Sequence, residues 1–309
     1  QSIEKRKNLI SKADAFRLIS SEADGLPTLI VDKYRDYLVM QTLGVATEMR
    51  KNLFADILCQ ILKPKGIYER NDVPIRKLEG LSSNKGLLMG KIPELITITE
   101  NRIRFFVDIK NGQKTGFYID QRDNRNIVRD FSKEAKVLDC FCYTGGFSIY
   151  ALYYGANHVT GIDISEESIK LAKRNAALNN FKDKKFIFNI ANVFDELKNF
   201  DRCGEKFDLV VLDPPSFTRK KQTLKAAIRG YKEINLRAMK ILKPGGVLIT
   251  CSCSYHIGLE LFKSMLIQAS SDAKRTVRIL DIRNHPMDHP ILLQLKESSY
   301  LKCLVLEIV

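Results

Sequence analysis

The stretch that most constrains this chain is Val137-Leu138-Asp139-Cys140-Phe141-Cys142-Tyr143-Thr144-Gly145-Gly146-Phe147. An apolar run ends in an acid, passes through two adjacent glycines and opens into a helix-like run over 147–154. A strand feeding a glycine turn and then a helix N-terminus is where α/β folds hold nucleotide-like ligands. Glycine is needed in such a turn because a Cβ would keep the ligand from the backbone. Two further segments complete the pattern. Gly161-Ile162-Asp163-Ile164-Ser165 supplies a second strand ending in a carboxylate, and Asp213-Pro214-Pro215-Ser216-Phe217 follows a third apolar strand over 209–212.

From residue 136 onward strand and helix patterns alternate. Strands are expected at 137–139, 158–164, 185–189, 209–213, 246–251 and 302–309, with helices at 166–180 and 229–242 among them. Such alternation predicts a mostly parallel sheet covered on both faces. The last strand suits an edge hairpin with 277–281. Residues 1–102 read as a smaller α+β domain, with a hairpin over 29–41, a helix over 53–62 and a strand over 67–70. Residues 103–309 form the second domain. It is expected to begin with a hairpin over 103–119, because Asn111-Gly112 lies between two β-rich runs. Asp120 then reads as the N-cap of a helix through Phe131.

Gly145-Gly146 lacks the G-x-G-x-x-G spacing of dinucleotide sites, which disfavours NAD. Asp163, at the end of the second strand, suits a carboxylate gripping two ribose hydroxyls. It can equally serve with Ser165 as a helix cap. Asn192, after the third strand, is placed to reach an adenine edge. The expected ligand is S-adenosylmethionine. Pro214 and Pro215 force an extended, stiff turn that offers the Asp213 carboxylate and backbone carbonyls to a flat polar substrate. An ordinary strand-ending turn is the plainer account of the same residues.

A later strand ends in Thr250-Cys251-Ser252-Cys253-Ser254, with two cysteines that share a face if the chain is extended. A thiolate is the strongest nucleophile among ordinary side chains. Cytosine C5 is weakly nucleophilic, and thiolate addition at C6 turns it into an enamine carbon able to take a methyl group. Cys59, Cys203 and Cys303 read as small buried hydrophobes. Cys140-x-Cys142 and Cys251-x-Cys253 lack the spacing of structural zinc sites. His285-Pro286 and His289-Pro290 read as turn chemistry. No metal is expected.

The 309 residues carry a formal charge of +14, spread over both halves rather than held in a tail, which favours an anionic partner, nucleic acid first. Seven cysteines, an odd number, without a signal-peptide pattern or a membrane-length apolar run, predict a cytoplasmic, reducing setting.

Taken together, these motifs resemble the RlmI-type family of ribosomal large-subunit RNA cytosine-C5 methyltransferases. The resemblance runs from Ala15 to the C-terminus. It is carried by Glu22-Ala23-Asp24-Gly25-Leu26-Pro27, Tyr68-Glu69-Arg70-Asn71-Asp72-Val73, Gly112-Gln113-Lys114-Thr115-Gly116-Phe117-Tyr118-Ile119-Asp120-Gln121-Arg122, Tyr143-Thr144-Gly145-Gly146-Phe147, Asp213-Pro214-Pro215-Ser216-Phe217 and Cys253-Ser254. The block from Gly112 to Arg122 is the most specific.

The resemblance implies a Rossmann-like class I methyltransferase domain, a smaller α+β domain, a connecting hairpin and S-adenosylmethionine as cofactor. It also implies a PUA domain, which is not visible here; the chain starts at Gln1, and that domain is expected to precede it. Thr144, Gly145, Phe147, Asp163, Asn192 and Asp213 would line the cofactor pocket, flanked by Phe141, Tyr143, Gly146, Ile164, Ser165 and Pro214. Gln121 and Arg122 would close it near the methionine carboxylate. Cys253 aligns with the family's nucleophile, with Cys251 as runner-up. Ser216 stands where other branches carry a second cysteine. Asp213 and Pro214, with Pro215, Ser216 and Phe217, would hold the flipped base. Lys110, Lys114, Arg122, Lys220 and Lys221 would meet phosphates. The implied partner is large-subunit ribosomal RNA, and a homodimer stays open. The rival readings are methylation of guanine N7 or an exocyclic amine without a thiol, methylation of a small molecule or protein, and a non-catalytic RNA-binding module.

Overall fold

The computed structural model of the chain describes residues 1–6, 9, 13–181, 185–218 and 221–309. By compactness it divides into one unit made of Gln1–Arg122 and Pro286–Gln294, and a second made of Asp123–His285 and Leu295–Val309. The expected boundary at 102 therefore falls inside the first unit. One short segment near the C-terminus also rejoins that unit.

The first unit is built on a five-stranded sheet in sequence order: β1 (Ala15–Ser20), β2 (Leu29–Tyr34), β3 (Tyr37–Thr42), β4 (Gly66–Asn71) and β5 (Asn84–Gly90). The β2–β3 hairpin is the one expected over 29–41. Only β3 and β4 run parallel, joined by the helix Lys51–Leu62. Phe16, Leu18, Leu29, Val31, Leu38, Met40, Leu58 and Ile67 form its core.

The expected hairpin over 103–119 is corrected. β6 (Ile96–Glu100) and β7 (Ile103–Val107) pair instead, across Asn101 and Arg102. Both turn residues have positive φ, 50° and 71°, which matches the twist of a two-residue hairpin. Asn111-Gly112 is occupied otherwise. The Asp108 carboxylate accepts from the backbone N–H of Lys110 and Asn111, and Gly112 N–H donates to Asp108 O. This side-chain-capped turn ends β7, and 115–119 form no strand. The helix expected over 120–131 is also broken, into Ile119–Gln121 (3-10), Arg122–Asn126 (α) and Ile127–Asp130 (3-10). Asp120 is no cap there; it is buried and pairs with Lys114.

The second unit holds a seven-stranded sheet made of β8 (Lys136–Cys140), β9 (His158–Asp163), β10 (Phe186–Ile190), β11 (Phe207–Leu212), β12 (Leu242–Ser252), β13 (Val277–Arg283) and β14 (Lys302–Ile308). Their order across the sheet is β10-β9-β8-β11-β12-β14-β13. The first five run parallel, and β14 lies antiparallel between β12 and β13, the edge hairpin expected from the sequence. Chain order reverses between β8 and β11, so the carboxyl ends of these strands border the crevice where ligands bind in open α/β sheets. Strand β11 is apolar and almost wholly buried, as a central parallel strand must be. The helices Leu224–Ile241 and Leu259–Ala273 supply Tyr231, Ile234, Ala238, Met239, Phe262 and Met265 to the core on one face.

Local signals place the helices that border the site. Ser165 Oγ accepts from Ser168 N–H at 3.2 Å, and Glu166 and Glu167 follow in the first turn, where the helix dipole favours acids. Asn192 caps the helix Val193–Cys203, whose end is Gly204 at φ 69°.

Candidate active site

Residues from the carboxyl ends of five adjacent strands converge here. After β8 the chain turns through Phe141, Tyr143 and Gly145, all with positive φ (61°, 49° and 81°), before the helix Gly146–Tyr153 begins. Left-handed conformation is unusual for aromatic residues, and the hydrogen bonds explain it here. Cys142 N–H donates to Ile162 O, Tyr143 N–H to Asp163 Oδ2 at 2.8 Å, and Gly145 N–H to Cys142 O. The loop is thereby tied to the end of β9. The left-handed φ of 81° favours glycine at 145, where a Cβ would also stand 3.2 Å from Ala172 Cβ; a Cβ on Gly146 would stand 2.9 Å from Cδ of the Arg125 side chain, which would have to shift.

Asp163 is half-buried, and its Oδ1 accepts from Ser165 N–H at 2.9 Å. It braces the loop and the start of the following helix, and its carboxylate remains partly open. Ile164 is 73% exposed. Asn192 is exposed and uses Oδ1 to accept from Phe194 N–H, which leaves its amide hydrogens for a ligand. Thr144 is buried, and its Oγ1 has no hydrogen-bond partner among the described residues. An orphan hydroxyl, a glycine cradle and a strand-end carboxylate suit an adenosyl ligand bearing ribose hydroxyls.

Asp139, which the sequence reading passed over as part of the motif, is fully buried. Its Oδ2 accepts from Ser148 N–H at 2.8 Å and Ser148 Oγ at 2.6 Å, while Oδ1 has no hydrogen-bond partner among the described residues. Burial, with the charges of Asp213 and Asp163, pushes its carboxyl up to about 7 against those hydrogen bonds. Burial and the Asp139 charge push the Cys140 and Cys142 thiols well above their ordinary range.

On the other side of the switch point, Asp213 N–H donates to Cys140 O at 3.4 Å. Pro214 is buried and Pro215 exposed. Phe217 packs on Tyr231 (ring centroids 4.6 Å), Phe194 (5.9 Å) and Phe141 (6.3 Å). Gly230 leaves room for that ring, since a Cβ there would come within 3.2 Å of it. Ser216 Oγ and Ser254 Oγ are 2.9 Å apart, and Tyr231 Oη is 3.0 Å from Ser254 Oγ. This hydroxyl chain joins the Pro-Pro loop to the end of β12.

No disulfide joins any of the seven cysteines. Cys251 is fully buried and faces Cys303 in the β12–β14 register. Cys253 is half-buried, and its thiol donates to Pro214 O at 3.8 Å. Cys203 is exposed at a helix end, which corrects its reading as a buried hydrophobe. Lys302, missed from the sequence, is buried beside this end of β12 and donates to Ser254 O at 2.8 Å. The signal was a lone lysine heading the run Lys302-Cys303-Leu304-Val305-Leu306.

Of the remaining candidates, Lys110, Lys114, Gln121 and Arg122 belong to the first unit and Lys221 to the second. Arg122 is buried with its guanidinium on both oxygens of Asp288, at 2.7 and 3.3 Å. Against burial, hydrogen bonding and charge from His289 and the Arg122 charge hold the Asp288 carboxyl well below the usual range. Gln121 is buried in the adjoining 3-10 turn. Lys110 donates to Ile92 O at 3.1 Å, while Lys114 pairs with Asp120 and lies over the Tyr118 ring. Lys221 opens the short turn Lys221–Thr223. Lys220 lies outside the described residues. No described helix is long and apolar enough to cross a membrane.

A family profile described as S-adenosylmethionine-dependent methyltransferase matches residues 78–299. The protein named ribosomal RNA large subunit methyltransferase I from Tolumonas auensis is 45% identical over 304 residues, covering 97% of this chain and 77% of the relative. That of Aeromonas salmonicida is 44% identical, covering 94% and 74%. A crystal structure of a methyltransferase complexed with S-adenosylhomocysteine superposes with a TM-score of 0.86 at 26% identity, covering 99% of this chain and 79% of that one. A methyltransferase from Streptococcus mutans gives the same score at 25% identity, with 99% and 78% covered. The chain belongs to the S-adenosylmethionine-dependent methyltransferases, in the branch of the ribosomal RNA large subunit methyltransferase I proteins.

Proposed function

We propose that this enzyme methylates C5 of a cytosine in large-subunit ribosomal RNA through a covalent bond between Cys253 and C6. The relatives' names and the net charge of +14 support the RNA. The observation that carries the cysteine chemistry is the half-buried Cys253 thiol, hydrogen-bonded to the carbonyl of Pro214.

Asp163, Asn192, Thr144 and the Gly145-Gly146 turn would hold the cofactor, which when bound supplies an electrophilic methyl group. The target base must leave its stack to reach a strand-end pocket. Phe217 and Phe141 offer it an aromatic wall. The Asp213 carboxylate suits the N4 amino group of cytosine, which donates hydrogen bonds. Cys253 Sγ adds to C6 with its electron pair, and C5 becomes nucleophilic and accepts the methyl group. Loss of the C5 proton then expels Cys253 and restores the C5=C6 double bond.

Methyl transfer from labelled cofactor to ribosomal RNA, followed by nucleoside analysis, tests this. Labelled 5-methylcytosine is expected for the wild type and none for Cys253→Ala. A different methylated nucleoside, or an active Cys253→Ala variant, would sink the thiol mechanism in favour of amine or N7 methylation.

A further inference from the structure

Lys302 opens β14 opposite Ser252 of β12 and is 3% exposed. Its ammonium donates to Ser254 O and Tyr300 O, both at 2.8 Å. A cation removed from water is costly without a counter-charge, yet among the described residues no carboxylate pairs with it. Burial pushes Lys302 down to about 8, and among the described residues the Cys253 charge opposes that shift. The lysine therefore stays largely cationic at neutral pH, held by two carbonyls with Cys253 as its ionisable neighbour among the described residues.

Addition to C6 needs a thiolate, and an ordinary thiol is only a few per cent ionised near pH 7. Resting on the cysteine reading above, we propose that Lys302 is the positioning residue that holds Cys253 as a thiolate, its buried ammonium serving as the counter-charge. The S–H bond breaks, the proton passes to solvent water, and the pair left on Sγ forms the S–C6 bond. Lys302 keeps its three hydrogens throughout.

The other described groups on the surrounding elements do not replace it. Tyr231, from the helix Leu224–Ile241, is pushed up to about 12, first by burial and then by the Cys253 charge, so it stays neutral. Asp213, at the neighbouring strand end, opposes a thiolate. On the following loop Tyr255 donates to Glu297 at 3.0 Å. Next to that pair stand His256 and Lys296, in exposed or half-exposed positions.

The test is the pH dependence of iodoacetamide alkylation at Cys253 in the full chain, read by peptide mass spectrometry, for wild type and Lys302→Met. The wild-type midpoint is expected below the ordinary thiol value of about 8.5. Lys302→Met should raise it by about one unit and slow alkylation at pH 7 about tenfold, with S-adenosylhomocysteine affinity unchanged. The pH profile of methyl transfer should move with it. A wild-type midpoint at or above the ordinary value overturns the proposal without any variant, as does an identical midpoint in both proteins. Cys253→Ala separates the two failures. If that variant still forms 5-methylcytosine, the thiol reading itself is wrong. If it is inactive and Lys302→Met alkylates like wild type, only the role of Lys302 is lost.

Discussion

Two Cys-x-Cys pairs sit at strand ends of the same sheet, and Cys253 of the second has surroundings opposite to those of the first pair. Cys140 and Cys142 are 0% and 5% exposed, beside the buried Asp139 carboxylate. Cys253 is half-buried, touches the Pro-Pro loop and shares its end of the sheet with the buried ammonium of Lys302. Negative charge and burial make a thiol inert, whereas a nearby cation and access to solvent make it a nucleophile. The spacing of the cysteines is the same in both pairs, so on the proposed reading it is the neighbours, supplied by other strands, that would assign their chemistry.

The largest break in this comparison comes from removing the sulfur. Cys253→Ser should lower 5-methylcytosine formation by on the order of 10⁶-fold, the scale seen when a covalent nucleophile is lost. Cys140→Ser and Cys142→Ser, each assayed in the same way, should stay within a few-fold of wild type. Equal losses at all three positions would mean that the pairs differ in packing and not in chemistry.

Asp139 supplies the charge that suppresses the first pair, and it gives the next largest effect. Its folded carboxyl is raised from 3.8 to about 7. A raised value means that the fold prefers the protonated acid. The stability this contributes is complete below about pH 4 and is lost as pH rises through about 7. Asp139→Asn keeps an acceptor for Ser148 and never ionises. It should therefore match wild type near pH 4 and exceed it at pH 8 by on the order of 4 kcal/mol, read as denaturation midpoints. Parallel pH curves for the two proteins would remove Asp139 as the source of the contrast.

Asp163 tests the bracing of the same loop. Asp163→Ala removes the acceptor of Tyr143 N–H and Ser165 N–H together with the proposed ribose contact. A charged hydrogen bond is worth about 1.5–3 kcal/mol, so cofactor affinity should fall about ten- to a hundredfold by calorimetry. An unchanged affinity would leave Asp163 as a loop brace and helix-capping element only.

The parallel sheet, its strand-end acids and the β13–β14 edge were legible because each rests on a local pattern: an apolar run, an acid or proline at its end, a glycine turn. Three features were not. The β6–β7 hairpin turns at Asn101-Arg102, where an arginine at φ 71° gives no turn signal. The attractive Asn111-Gly112 pair is diverted by the Asp108 carboxylate. The return of 286–294 to the first unit depends on Asp288 meeting Arg122 and Arg6, contacts between residues far apart in the chain. Lys302 illustrates the same limit within the site. The sequence offers a lysine at the head of an apolar strand, but only the β12–β14 register brings it to Ser254 and Cys253.

The smallest effect sharpens the packing side of the comparison. Gly161 lies in β9 against the first pair, and a Cβ there would stand 2.5 Å from the Phe188 ring and 3.2 Å from Cys142 Sγ. Gly161→Ala should destabilise the protein by about 1–3 kcal/mol through overpacking. Because the strain falls on β9 and β10, with β8 and β11 between them and β12, alkylation of Cys253 should keep its wild-type rate and pH midpoint. Cys142 should stay slow to alkylate as well, since burial remains the first cause of its raised thiol value. If Gly161→Ala instead exposed Cys142 to rapid alkylation, burial alone would be silencing the first pair, and the Asp139 charge would add little to it.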